Sequence, residues 1–331
     1  MSAAFIASIF MFFFLSFVPC GVWSAPPVPL RVEAIPIKLD PEDPGRTQFG
    51  GLAFLSGFEL SSEDYHFRGL SGLELSADSN SLYAVSDYGY WFSARLRHDV
   101  QGRLTGLGPW EMGPLLTPEG GIAEGRLRDA EALVRDQDGS LIVAFEQNHR
   151  LWRYPPAVNP FAFRPKVLPV PPELLKAPGN GGLEAVTVLP DSRLLLLTED
   201  YKNPDGSLKG WLIEKDRFFT LSYLDSDGFR PTDLATLANG DVLLLERRYD
   251  WLVWMHTRIR RLSRSRLKPG ARLQGELVAE LGPPLSVDNF EGLAVRQDPK
   301  AGTFLYVISD DNYIPLQRTL LLQFRFIPPS P

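Results

Sequence analysis

Five segments of this chain repeat one pattern, in which an acidic residue opens a short apolar run, a tight turn follows, and a second apolar run ends in another acid. The pattern recurs at intervals of 49 to 58 residues. A repeat near this length that carries paired strands is typical of a β-propeller of four-stranded blades. The sequence therefore predicts an all-β chain folded as a single five-bladed propeller. The opening acids of the five segments are Glu74, Glu131, Glu184, Asp233 and Glu291.

Each segment also predicts which ends of its strands lie together. Turns such as Asp138-Gly139 and Asn239-Gly240 favour hairpins. In an antiparallel hairpin the start of the first strand lies beside the end of the second, so the closing acids join the opening acids at one end of the blade. With the first strand innermost, up to ten carboxylates are predicted to meet at one mouth of the central channel. The closing acids are Asp87, Glu146, Glu199, Glu246 and Asp310.

The second apolar run of each segment is almost unbroken, as at residues 194–197 and 242–245. This composition is typical of a strand that is buried on both faces. We therefore expect these strands to lie between neighbouring blades, with no face in water.

The last segment has room for only three strands after Glu291. Propellers commonly complete the last blade with a strand from the other terminus, which removes exposed sheet edges. Residues 50–60 form an apolar run that suits this place, so we predict a propeller domain over residues 49–327 that this strand closes. A sixth blade stays open as an alternative if residues 31–70 contain a degenerate repeat. Residues 25–48 are Pro-rich and are predicted to be irregular.

The N-terminus resembles a secretory signal peptide. Residues 3–18 are almost wholly apolar, and small residues around Ser24 suit cleavage there. The run is short for a spanning helix, although a retained anchor is the alternative. We expect residues 1–24 to be removed, and the mature protein to be periplasmic or extracellular with no stable membrane insertion. Because Cys20 is the only cysteine, the mature chain would have no disulfide, thiol nucleophile or thiolate metal ligand.

Composition and missing motifs narrow the chemistry. The net charge of −6 argues against nucleic acid as a partner. We expect a monomer that acts on a small-molecule ester or phosphoester. The sequence contains no Gly-x-Ser-x-Gly elbow, no His-Glu-x-x-His and no phosphate-binding Gly-x-x-x-x-Gly-Lys. Any hydrolysis must then depend on the clustered carboxylates, which are suitable ligands for a hard cation such as Ca²⁺.

The predicted Ca²⁺ ligands are acids from all five segments. For catalysis we select Glu131 and Asp87, because a carboxylate beside a cation can act as general base, and His149, the histidine best placed for proton transfer. The alternative is that the acids form structural ion pairs with nearby arginines such as Arg128, Arg230 and Arg247. The predicted metal ligands are Glu74, Glu131, Glu184, Asp233, Glu291 and Asp310.

Several short motifs resemble those of the bacterial phytase-like family, described as "esterase-like activity of phytase". They are GLSGLE at residues 69–74, NGGLEA at 180–185, NFEGLA at 289–294 and SDDN at 309–312. The resemblance covers roughly residues 50–326 and implies a propeller that hydrolyses phosphate or other esters. Three functions stay open: an exported, metal-assisted ester or phosphoester hydrolase, a lactonase-type propeller hydrolase with Ca²⁺ in the channel, and a non-catalytic binding scaffold.

Overall fold

The structure is a computed structural model that describes residues 26–250 and 254–328. The predicted signal peptide, residues 1–24, lies outside the described residues. Within the described ranges, no helix has both the length and the apolar composition needed to cross a membrane.

The chain forms five sheets arranged as the blades of a propeller. Their strands are antiparallel, apart from one short strand at the edge of blade 3. From the channel outwards, blade 1 contains Leu70–Leu75, Ser81–Ser86, Tyr90–His98, Leu104–Pro114 and the edge strand Val28–Leu30. Blade 2 contains Ala130–Arg135, Leu141–Phe145, Arg150–Tyr154 and Lys166–Leu168. Blade 3 contains Leu183–Val188, Leu194–Lys202, Leu208–Glu214, Arg217–Tyr223 and a short parallel strand, Arg272–Leu273.

Blades 4 and 5 complete the ring. Blade 4 contains Arg230–Thr236, Val242–Asp250, Trp254–Leu262 and Glu276–Leu281. Blade 5 contains Asn289–Asp298, Gly302–Asp310, Thr319–Phe326, Leu52–Ser61 and the edge strand Glu33–Pro36, and Gln48–Phe49 also pairs with Leu52–Ser61. The described helices are single 3₁₀ turns at Gly125–Leu127, Pro160–Ala162, Leu174–Lys176 and Arg264–Arg266.

The hydrophobic core lies between the blades. Five buried clusters each join side chains of two neighbouring blades. Along the second strand of blade 3, Leu195 packs towards blade 4 and Leu196 packs towards blade 2. Successive side chains of a strand point to opposite faces, and here both faces are buried. This explains the unbroken apolar run and confirms the prediction made from it.

The N-terminal strand closes the propeller as predicted. Leu52–Ser61 pairs antiparallel with Thr319–Phe326 at eight positions, as the fourth strand of blade 5. The blade count is five, and residues 31–70 supply the closing strand and edge strands instead of a sixth blade. The segment 25–48, predicted to be irregular, also contributes the short edge strands Val28–Leu30 and Glu33–Pro36.

Candidate functional site

The innermost strand of every blade carries a β-bulge near its first residues. In blade 2, Ala130 pairs with Phe145 and Ala132 pairs with Ala144, so Glu131 is the extra residue. The other four blades show the same shift of register. A bulge redirects the side chain of the extra residue. We call the five residues that follow the last pair before the bulge the inner ring: Ser71, Glu131, Glu184, Thr232 and Glu291.

The second strands supply a second set of equivalent positions. In each blade, the last pair before the bulge joins a residue of the first strand to a residue of the second strand. The residue that follows on the second strand lies beside the inner ring; in blade 2, for example, Glu146 follows Phe145. Four of these five residues are acids and the fifth, in blade 4, is an arginine. We call this set the outer ring: Asp87, Glu146, Glu199, Arg247 and Asp310.

Nine of the ten ring residues, all except Thr232, line one pocket of about 300 Å³ at this mouth of the channel. The pocket is strongly acidic, since eight carboxylates face two guanidinium groups, those of Arg128 and Arg247. The eight acids are Asp87, Asp129, Glu131, Glu146, Glu184, Glu199, Glu291 and Asp310.

Three of these acids belong to blade 2 and can share a cation. Asp129, Glu131 and Glu146 each offer a carboxylate oxygen, and the three atoms lie within 4.8 Å of one another. Ligands on opposite sides of a Ca²⁺ ion, with bonds of about 2.3–2.6 Å, are separated by about this distance. The carboxylate of Glu146 is held in place by a hydrogen bond, because the backbone N–H of Gly182 donates to its Oε1 over 2.5 Å. The donor set fits a hard cation in both spacing and chemistry.

Electrostatics also favour a cation here. Burial raises the pKa of Glu146 to about 8, and the charge of Asp129 adds to this effect. Burial, Glu291 and Asp129 raise the pKa of Asp87 to about 8. Burial and the same neighbouring acids hold the pKa of Glu131 well above its ordinary value. A bound cation reverses this repulsion and restores the ionised carboxylates.

Asp87 has a further property. Its Oδ1 atom is buried and has no hydrogen-bond partner among the residues of the described ranges. A buried, unpaired carboxylate oxygen is costly unless a ligand or water satisfies it. Asp87 lines the mouth pocket, and its Oδ1 lies against Gly69, where a Cβ atom would meet it at 2.0 Å.

The structure brings together most of the predicted site residues. Glu131, Glu184, Glu291, Asp310 and Asp87 all line the mouth pocket. Glu74 and Asp233 do not line it, although both belong to the innermost strands.

Glu74 and Asp233 link neighbouring blades. Glu74 accepts a hydrogen bond from the backbone N–H of Arg135 in blade 2 over 2.8 Å, and Asp233 accepts one from Leu293 in blade 5 over 2.7 Å. Each also accepts from the backbone N–H of the residue that follows it. Glu74 lines a separate cavity of about 430 Å³ formed by the other ends of the innermost strands. Both acids therefore bind backbone N–H groups, and neither forms an ion pair within 4 Å among the described residues.

Glu246 is the third acid of the predicted ten that is absent from the pocket lining. It is fully buried between blades 3 and 4. Arg258 donates to it from Nε over 2.5 Å, Tyr223 of blade 3 donates from its hydroxyl over 2.7 Å, and Arg260 lies at 3.2 Å. Glu246 pairs with Pro231, so the following residue, Arg247, takes the outer-ring position.

His149 lies behind the pocket wall. Its Nε2 donates to the carbonyl of Pro178 over 2.8 Å, and the backbone N–H of Leu183 approaches Nδ1 at 3.5 Å. The ring also fills the space beside Gly182, where a Cβ atom would meet it at 2.0 Å. With both ring nitrogens directed at backbone groups, His149 positions the Gly182–Leu183 backbone and does not face the pocket.

The arginines account for only part of the acidic cluster. Arg230 pairs with Asp200 at 2.6 Å, outside the pocket, and Arg128 stacks on Tyr88 with 4.1 Å between its Cζ atom and the ring centre. Arg247 is the pocket arginine that forms ion pairs, at 3.2 Å from Glu199 and 3.3 Å from Glu291.

Asp129 lies in the pocket but is neither an opening nor a closing acid of the repeat. This residue stands two positions before Glu131. Side chains two residues apart on a strand share a face, so the spacing is a signal that could have placed Asp129 beside the opening acid.

The family model "Phytase-like: Esterase-like activity of phytase" matches residues 65–313. The chain belongs to the phytase-like family. No curated protein matches the sequence. The phytase-like propeller is also similar to solved structures of low sequence identity.

One similar structure is a putative gluconolactonase, with 14% identity, a TM-score of 0.44, and coverage of 91% of this chain and 96% of that one. A gluconolactonase from Xanthomonas campestris has 10% identity, a TM-score of 0.42, and coverage of 91% and 98%. An aldose sugar dehydrogenase from Streptomyces coelicolor, in its PQQ-bound form, has 12% identity, a TM-score of 0.45, and coverage of 90% and 99%.

Proposed function

We propose that this phytase-like propeller is an exported, metal-assisted hydrolase of ester or phosphoester bonds. The observation that carries the proposal is the group of three carboxylate oxygens, from Asp129, Glu131 and Glu146, within 4.8 Å of one another at the channel mouth. These residues would hold Ca²⁺, and the remaining acids of the pocket would attract it and balance its charge. Bound there, the ion would polarise a phosphoryl or acyl oxygen and lower the pKa of a coordinated water.

Asp87 is our choice for the general base. Asp87 lines the same pocket, and its carboxyl, once ionised, can accept a proton from an attacking water. A cation nearby lowers the pKa of Asp87 from its raised value of about 8, so that the carboxylate is available at neutral pH. This assignment takes the proton-transfer role from His149.

Arg128 is our choice for the contact with an anionic substrate group. Among the described residues it forms no ion pair within 4 Å, and it stacks on Tyr88, whose ring in turn lies 4.3 Å from that of Tyr313. An arginine held by stacking keeps its N–H groups available for a phosphate or carboxylate. This arrangement favours a phosphoester over a neutral ester.

A metal analysis of the purified mature protein, combined with assays on aryl phosphate, aryl ester and lactone substrates, tests the proposal. Each assay is run with Ca²⁺ and with chelator, and Glu131→Gln serves as the inactive variant while Glu74→Gln serves as the matched control. Ca²⁺-dependent release of phosphate or phenol supports the proposal. Lactone opening alone would favour the lactonase alternative, in which the same ion could polarise the lactone carbonyl. Inertness towards all three substrates would favour the binding scaffold.

Export forms a separate part of the proposal and has its own test. The apolar run at residues 3–18 and the small residues before Ala25 motivate it. N-terminal sequencing of protein recovered from the producing cell should show a chain that begins at Ala25. A chain that still begins at Met1 and sediments with the membrane would contradict export by a cleaved signal.

A further inference from the structure

The outer ring departs from its own pattern at one position. Blades 1, 2, 3 and 5 place a carboxylate there, whereas blade 4 places Arg247. This difference results from register, since the acid of the same strand, Glu246, stands one residue earlier and points between blades 3 and 4. A guanidinium group therefore lies in a ring of acids.

The guanidinium of Arg247 is held firmly at this position. Its Nη1 donates to Asn289 Oδ1 over 2.8 Å, and its Nη2 lies 3.2 Å from Glu199 and 3.3 Å from Glu291. Asn289 in turn donates from Nδ2 to Glu291 Oε1 over 2.7 Å. Asn289, Glu199 and Glu291 thus surround the one positive charge of Arg247. The Arg247 side chain is three-quarters buried.

Arg247 places its positive charge beside four of the eight pocket acids. Burial alone would lower its pKa, but the neighbouring carboxylates outweigh this effect and raise it above its ordinary value. The acids that raise it most are Glu291, Glu199, Glu184 and Asp310. The other four pocket acids, Asp87, Asp129, Glu131 and Glu146, include the cluster with cation spacing.

We propose that Arg247 is a built-in counter-ion that occupies a second cation position, so that the pocket takes a single metal ion and takes it at blade 2. The inference rests on the proposed function, because it assigns the number and place of the cation in that same site. Removing one partner of a buried ion pair leaves the others as uncompensated charges. If Arg247 were absent, three acids on three different strands would present their oxygens to a second divalent ion. They are Glu184, Glu199 and Glu291.

The experiment counts bound Ca²⁺ per chain by isothermal titration calorimetry on the full mature protein. We expect one ion for the wild type and two for Arg247→Gln. Arg230→Gln is the matched control, because Arg230 lies in the same blade but pairs outside the pocket, and it should bind one ion. The double variant Arg247→Gln with Glu199→Gln should return from two ions to one, since it removes an acid together with its counter-ion.

The outcomes separate this inference from the proposed function. One ion in the wild type and one in Arg247→Gln would overturn the inference and leave the function standing. No ion in the wild type and one in Arg247→Gln would remove the metal from the proposed function and would also overturn the inference of a single ion at blade 2. No ion in either protein would overturn both. Should Arg247→Gln unfold in chelator, Ca²⁺ must restore a cooperative melt, and failure to do so would also overturn the inference.

Discussion

Replacing Glu131 by Gln should remove most of the stabilisation that Ca²⁺ provides. A ligand that binds only the folded state at 100 times its Kd stabilises that state by about 2.7 kcal/mol. The entropy of unfolding is about 2.1 cal/mol/K per residue, which for roughly 300 ordered residues is about 0.6 kcal/mol/K. The wild-type melting temperature should therefore rise by about 4 °C when Ca²⁺ replaces chelator.

Glu131→Gln keeps the shape of the side chain but removes one of the three close carboxylates of blade 2. If this weakens Ca²⁺ binding about 100-fold, the same Ca²⁺ concentration equals Kd and the stabilisation falls to about 0.4 kcal/mol, or less than about 1 °C. In chelator, the variant should melt at or above the wild-type temperature, because burial and neighbouring acids oppose the ionised form of Glu131.

Differential scanning calorimetry of both proteins in Ca²⁺ and in chelator measures these shifts. Glu74→Gln is the matched control, since Glu74 also lies on an innermost strand but binds backbone N–H groups away from the mouth. It should melt at a lower temperature than the wild type and keep the full Ca²⁺ shift. Equal loss of the shift in both variants, or no shift in the wild type, would refute the assignment of the cation to blade 2.

Three further predictions follow from the same structure. The first concerns pH: because the folded-state pKa of Glu146 and of Asp87 is raised to about 8, the stability that their protonated forms contribute is present at acidic pH and is lost as pH rises towards 8. The melting temperature of the metal-free protein should fall between pH 5 and pH 9, and saturating Ca²⁺ should flatten this decline; a flat metal-free profile would contradict the burial of these acids. The second concerns Glu246→Ala, which leaves Arg258 buried without its main partner and should cost about 3–5 kcal/mol in urea denaturation, whereas a loss under 1 kcal/mol would show that the ion pair contributes little. The third concerns closure: a chain that begins at Ser62 lacks the strand that pairs with Thr319–Phe326, exposes the apolar edge of blade 5, and should lose its cooperative calorimetric melt, while an unchanged melt would mean that the strand is dispensable.

The sequence by itself determined the architecture. The five-fold repeat predicts five blades, the unbroken leucine runs predict strands buried between blades, and the unpaired run at residues 50–60 predicts the closing strand. These features are visible in one sequence because they depend on local periodicity and on the number of strands available. The end of the blade at which the acids lie also follows from hairpin geometry, since antiparallel pairing brings the start of one strand beside the end of the next.

Only the tertiary structure decided which acids face the pocket. A bulge adds one residue to a strand, and a shift of one residue moves every later side chain to the opposite face. The inner-ring position belongs to the residue directly after the last pair before the bulge. In blade 4 that residue is Thr232, and the neighbouring Asp233 binds the backbone of blade 5. Because the innermost strands are buried or half-buried on both faces, the apolar pattern does not reveal where the bulge shifts the register. The same register places Arg247 in the outer ring and buries Glu246, because which of two adjacent residues faces the channel depends on the pairing of strands and not on their composition.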